Sequence, residues 1–193
     1  GAIYLSPPPH NDHAAAPANG HGDSHDHRKT VRFISFRKDG TVESDQEVDS
    51  DACSCCPTTI GRTRSGLVAA YRDHLPGEIR DIAIIRQVNG KWTEPKTLHA
   101  DGWKINACPT DGPSLVSKEE RVAITWLTRA NSEPKVQLAF SQDEGQNFSK
   151  PVRVDSGTPL GRPAIVPYDS GNYLLAWLER MASGQVEIRL RRA

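Results

Sequence analysis

Four cysteines carry the sharpest chemistry in this 193-residue chain: Cys53, Cys55 and Cys56 form a Cys-x-Cys-Cys cluster, and Cys108 stands alone further on. In an oxidising compartment an even count reads as two disulfides, in one of three connectivities. The same sulfur atoms could instead hold a metal, because thiolate with imidazole suits copper or zinc. Imidazole is abundant nearby in sequence. Five of the seven histidines, His10, His13, His21, His25 and His27, fall between Pro7 and Arg28, and His21, His25 and His27 are the candidate metal ligands. Such a tract also reads as a solvated loop with incidental affinity for metals, so both readings stay open. No cofactor other than copper or zinc is suggested.

A second constellation is Tyr71-Arg72-Asp73 followed by Glu78, Arg80 and Asp81. Arginine suits a planar, two-pronged grip on a carboxylate. Arg72, Arg80 and Asp81, joined by Arg162 from a later connection, would fit a sugar acid or another small anionic ligand. Alternatively, Arg72, Asp73, Arg80 and Asp81 neutralise one another as a structural network. Trp126 and Trp177 sit in apolar runs and read as core packing rather than as platforms for sugar rings.

What must position these groups is a repeat of a little over fifty residues, in which Cys56-Pro57-Thr58 recurs as Cys108-Pro109-Thr110 and, weakened, as Gly161-Arg162-Pro163. Repeats of that period read as β-propeller blades. Each unit reads as four antiparallel strands, A to D. Strand B ends in an aromatic residue (Leu67 to Tyr71, Val122 to Trp126, Tyr173 to Trp177). Strand C follows at Ile79 to Gln87, Lys135 to Ser141 and Gln185 to Arg191, with alternate apolar positions. Strand D is expected at Trp92 to Leu98 and Phe148 to Val154. The first unit supplies B at Ala2 to Leu5, C at Thr30 to Phe36 and D at Gln46 to Val48. The chain divides into residues 1–50 (a partial blade with a His-rich loop at 7–28), 51–101, 102–156 and 157–193 (a second partial blade). A propeller closes roughly four to eight blades. About three and a half blades therefore imply further blades from the same protein or from a second chain.

Alternating strand direction sends the B-to-C and D-to-A connections to one side of the disc. That face collects the His-rich insert, Asp51 to Cys56, Arg72 to Asp81, His99 to Cys108 and Gly157 to Arg162. Loops held on a rigid scaffold are where sites are built.

Composition supports an all-β chain, with 36% hydrophobic residues, 15 Gly and 14 Pro, and points to a periplasmic or secreted protein. The 24 basic and 24 acidic residues cancel, which argues against a nucleic-acid partner. No run is long enough to span a bilayer.

Ser141-Gln142-Asp143-Glu144-Gly145-Gln146-Asn147-Phe148 resembles the Asp-box of sialidase-like, BNR-repeat propellers, and Ser141, Asp143, Gly145 and Phe148 fill its fixed positions. Asp39-Gly40 and Asn89-Gly90-Lys91-Trp92 look like degenerate copies. Cys53 to Thr58, Tyr71 to Asp73, Arg80 to Ile82 and Cys108-Pro109 are similar to segments of bacterial sialidase-like proteins. The resemblance covers nearly everything after Thr30 and implies about half of a six-bladed propeller. Active sialidases use three arginines, a Tyr nucleophile paired with Glu, and an Asp acid, an exception to the two-carboxylate scheme. The resemblance therefore makes Tyr71, Asp73 and Glu78 candidate catalytic residues and Arg80 and Arg162 candidate clamp arginines. The Arg-Ile-Pro signature of active members is absent. Asp-boxes track fold more than activity, so the leading expectation is a non-catalytic binding or assembly module. The alternatives are an exo-sialidase-type hydrolase acting on acidic sugars and a copper or zinc protein.

Overall fold

The computed structural model describes residues 1–7, 28–169 and 171–193. The candidate ligands His21, His25 and His27 lie outside them. The described chain is a succession of antiparallel strands with one short 3-10 turn, Ala130–Ser132. Blade I holds β1 (Ala2–Ser6), β2 (Arg28–Phe36) and β3 (Val42–Cys53). Blade II holds β4 (Thr59–Arg62), β5 (Leu67–Arg72), β6 (Ile82–Val88) and two short outer pieces, β7 (Lys91–Trp92) and β8 (Lys96–Thr97). Blade III holds β9 (Ser114–Lys118), β10 (Arg121–Thr128), β11 (Lys135–Ser141) and β12 (Val152–Arg153), and blade IV holds β13 (Thr158–Asp169), β14 (Asn172–Arg180) and β15 (Val186–Arg192). Strands pair with their sequence neighbours within each sheet, except that β7 and β8 both pair with β6, and no strand joins two sheets. This is the arc of a β-propeller.

Radial stacking buries both faces of the middle sheets, which is why their strands read as continuous apolar runs. On β5, Val68 and Ala70 face blade III and pack with Ile124 and Trp126. Ala69 and Tyr71 point the other way, against Ile3 and Val31 of blade I. On β10, Ala123 and Leu127 meet Leu175 and Trp177 of blade IV. Trp126 is fully buried and donates its indole N–H to Asp101, as Trp177 does to Glu179, both at 2.7 Å. Both tryptophans are core residues, each with its polar edge satisfied.

The outer strands depart from the sequence reading. Strand D of blade II is split and that of blade III is two residues long, whereas β3 runs twelve residues, well beyond the expected Gln46 to Val48. Acidic residues crowd β3 because it pairs on one side only, and charge on such an edge resists further pairing. On blade IV the long β13 carries Pro159, Pro163 and Pro167. A strand bonded along a single edge tolerates proline, whose missing N–H is not needed on the free side. Among the described residues no helix is long and apolar enough to cross a membrane.

Candidate functional site

Arg72 ends β5 and enters the face where the B-to-C and D-to-A connections meet. Its Nε donates to the Asp111 carbonyl at 2.6 Å, Nη1 to the Arg80 carbonyl at 2.5 Å and Nη2 to the Leu127 carbonyl at 2.7 Å. The guanidinium also lies 4.6 Å from the ring centre of Trp103. Only 1% of the residue is exposed. Burial lowers its pKa, opposed by Cys56, Cys53 and Asp111. Arg72 thus ties the B-to-C connection of blade II to the connection entering blade III and to that blade's second strand, as a clamp between sheets.

The loop after β5 folds back on itself through paired backbone bonds between Leu75 and Ile79. Gly77 and Glu78 take the left-handed conformation that this reversal needs, at φ 81° and 63°. Asp81 accepts the backbone N–H groups of Gly102 and Trp103 at 2.9 and 3.0 Å, and Arg80 N–H donates to the Trp103 carbonyl. Arg80 pairs through Nη2 with Glu78 at 2.7 Å. Its Nε and Nη1 are buried without a partner among the described residues. Asp73 accepts the His74 backbone N–H at 2.7 Å. Burial, with Asp49 and Asp51 adding and Arg80 opposing, pushes the Asp73 carboxyl up to about 7. His74 stands between Asp51 at 2.8 Å and Glu78 at 3.4 Å.

Tyr71 faces the other side of its sheet from Arg72. It is fully buried and donates its hydroxyl to Asp49 at 2.5 Å. Burial first, then the Asp49 carboxylate, pushes its pKa upward, the opposite of what a nucleophilic phenolate needs. The expected mutual neutralisation of Arg72, Asp73, Arg80 and Asp81 takes a different form: Arg72 and Asp81 satisfy backbone groups, and the ion pair of Arg80 is with Glu78.

Cys55 and Cys108 are joined by a disulfide with Cα atoms 6.2 Å apart, linking the connections that enter blades II and III. Cys53 and Cys56 are free, buried thiols whose Sγ atoms lie 2.7 Å apart, with Cys55 Sγ 3.8 Å from Cys53. The hydrogen bond between the two thiols holds Cys53 down at about 6 despite burial, with the Cys55 N–H, Arg72 and Arg80 assisting, and pushes Cys56 up.

Arg162 is exposed in the first half of β13 and is joined to Arg72 through Asp111, which both residues bond. Its N–H donates to Asp111 at 2.7 Å. It has φ 56°, after Gly161 at φ 132°. A side chain at Gly161 would strike the Asp111 carboxylate. Arg162 lines an open cleft of about 300 Å³ with Thr58, Thr110, Asp111 and Ser114, where the innermost strands of three blades begin. A larger cleft of about 420 Å³ opens on the hairpin side, between Arg64, Lys118, Glu119, Asp169 and Tyr173.

The Asp-box closes the hairpin after β11. Asp143 accepts the Ser141 hydroxyl at 2.7 Å and the Asn147 N–H at 2.9 Å, while Ser141 Oγ accepts the Gly145 N–H at 2.9 Å. Against the burial that would raise it, Asn147 and Ser141 hold the Asp143 carboxyl below its ordinary range. Phe148 packs on the blade II–III core. Sequence reasoning missed Asp49, Trp103 and Asp111. The first two carry no motif, and the only signal for Asp111 is its place directly after the repeated Cys-Pro-Thr anchor.

No protein-family model matches the chain, and no curated protein matches it. Among solved structures it is similar to an α-L-arabinofuranosidase from Podospora anserina, determined in complex with cellotriose, at 12% identity and TM-score 0.48 over 86% of this chain and 56% of that one. It is also similar to a xylan β-1,4-xylosidase from Bacillus halodurans, at 14% identity and TM-score 0.28 over 86% of this chain and 51% of that one. The chain thus spans about half the length of both structures.

Proposed function

We propose that this chain is part of an extracytoplasmic, sialidase-like propeller that binds an acidic saccharide or similar anion without turning it over. The observation that carries this reading is the commitment of the groups hydrolysis would require. Tyr71 is buried on Asp49, on the far side of its sheet from Arg72, and Arg72 is spent on three carbonyls. The cleft lined by exposed Arg162 with Thr58, Thr110, Asp111 and Ser114 keeps an arginine open to solvent, which suits reversible anion recognition. The disulfide supports an oxidising location. Ring completion by further blades is supported by the outer face of blade IV, where Val186, Ile188 and Leu190 are exposed on alternate residues.

Isothermal titration with sialic acid and with uronic-acid oligosaccharides, beside a fluorogenic sialoside assay, tests both halves of the reading. Saturable binding lost in Arg162→Ala, without turnover, is the expected result. Turnover of the sialoside overturns the non-catalytic half, and binding that survives Arg162→Ala overturns the placement at the cleft.

A further inference from the structure

The four cysteines form a succession of sulfur atoms that leads from the surface into the core. Cys108 is exposed, and Cys55, its disulfide partner, is half-buried. Cys53 Sγ lies 3.8 Å from the Cys55 sulfur and 2.7 Å from that of Cys56. Cys53 and Cys56 are buried free thiols, 3% and 2% exposed. With these two sulfurs in direct contact, the pair is placed for a sulfur–sulfur bond rather than for an ion between them. As a staple the inner pair would achieve little. Its members stand three positions apart, and the entropy that a disulfide removes from the unfolded chain grows with the loop it closes. The outer link, by contrast, spans 53 positions.

From this succession we propose that the cysteines form a thiol–disulfide relay, in which the exposed Cys55–Cys108 link exchanges with low-molecular-weight disulfides and Cys53 passes the oxidation inward to Cys56. Exchange proceeds by attack of a thiolate on a disulfide sulfur. The Cys53 thiolate attacks Cys55 Sγ, the Cys55–Cys108 bond breaks, and Cys108 leaves as a thiolate that takes up the proton lost by Cys53. Cys56 then attacks Cys53 Sγ, the new Cys53–Cys55 bond breaks, and Cys55 takes up the proton lost by Cys56. One disulfide has moved into the core with no net oxidation. An external disulfide, RSSR, restores the outer link: the Cys108 thiolate displaces one RSH, and Cys55 displaces the second from the mixed disulfide. The protein then holds two disulfides, and RSSR has been reduced to two RSH. Cys53 is the pivot because it meets both neighbouring sulfurs. Arg72 and Arg80 favour its thiolate. The buried pair is thus oxidised without direct access for the oxidant.

The test uses the full chain under nitrogen, brought to a single disulfide by limited phosphine reduction. It is then quenched in acid, labelled with N-ethylmaleimide in denaturant and mapped by mass spectrometry. In the wild type, label is expected on both pairs, Cys53 with Cys56 and Cys55 with Cys108. In Cys56→Ser the relay stops at its first exchange, so the one label divides between Cys53 and Cys108. In Cys53→Ser the label stays on Cys56. Wild-type label confined to Cys53 and Cys56 overturns the relay, and so does Cys56→Ser label confined to Cys53. Oxidised glutathione should then take the wild type to a chain with no label and two disulfides. In the double variant Cys55→Ser/Cys108→Ser the buried pair should close about tenfold or more slowly. Equal rates would mean that the oxidant reaches the buried pair directly, and would overturn the relay. The wild-type label distribution decides alone should a variant fail to fold.

Discussion

The two rims of the disc hold polar groups in opposite ways. On the rim of the B-to-C and D-to-A connections, Arg72, Asp81 and Asp111 are buried and bond the backbone of neighbouring connections or blades. On the hairpin rim, Glu144 reaches the turn from buried Thr63 to exposed Ser65, and Arg64 pairs with Glu119 and Glu120 in solvent. The difference teaches where charge holds blades together. A buried charge whose partners are carbonyls has no water to replace them, whereas an exposed ion pair exchanges freely with water.

Removing Arg72 should break the comparison most sharply. Arg72→Met leaves the Asp111, Arg80 and Leu127 carbonyls without their donor, and a loss of about 4 kcal/mol is expected in chemical denaturation. Next comes pH. Folding raises the pKa of Asp73 from 3.8 to about 7, so between these values the folded chain holds a proton that the unfolded chain has released. Stability from this group is therefore full below about 4 and is lost as pH rises to about 7, on the order of 2–4 kcal/mol in all. Denaturation of Asp73→Asn beside the wild type should show that slope removed.

Asp81→Ala strands the Gly102 and Trp103 N–H groups and should cost about 2 kcal/mol by the same measurement. On the hairpin rim, Asp143→Ala loosens a single turn, and a cost of about 1 kcal/mol is expected. Arg64→Ala should leave the thermal midpoint within error. A large effect there, or a small one at Arg72, would reverse the assignment of the two rims.

The blade repeat was legible because its cues are local. Asn89 and Gly90, expected to form a tight turn, both take positive φ, at 50° and 79°, and alternate apolar positions on β5 and β10 mark two buried faces. Strand ends were not legible where pairing was one-sided: β3 is acidic throughout its middle and carries no apolar alternation. At the site, the sequence brought Arg72, Arg80, Asp81 and the cysteines to one face. The partners of Arg72 and Asp81 were hidden because these are main-chain atoms. Nothing in the residue type of Leu127 announces that its carbonyl receives Arg72 from 55 positions away.

The covalent link from Cys55 to Cys108 has a topological consequence. Every strand of blade II, from Thr59 to Thr97, lies between the two joined cysteines, so that sheet sits inside a closed loop of chain. A protease that clips a turn there, at Ser65-Gly66 or Asn89-Gly90, produces two pieces that still travel as one molecule. They separate only when a reductant is added, so nicking could pass unnoticed on a non-reducing gel.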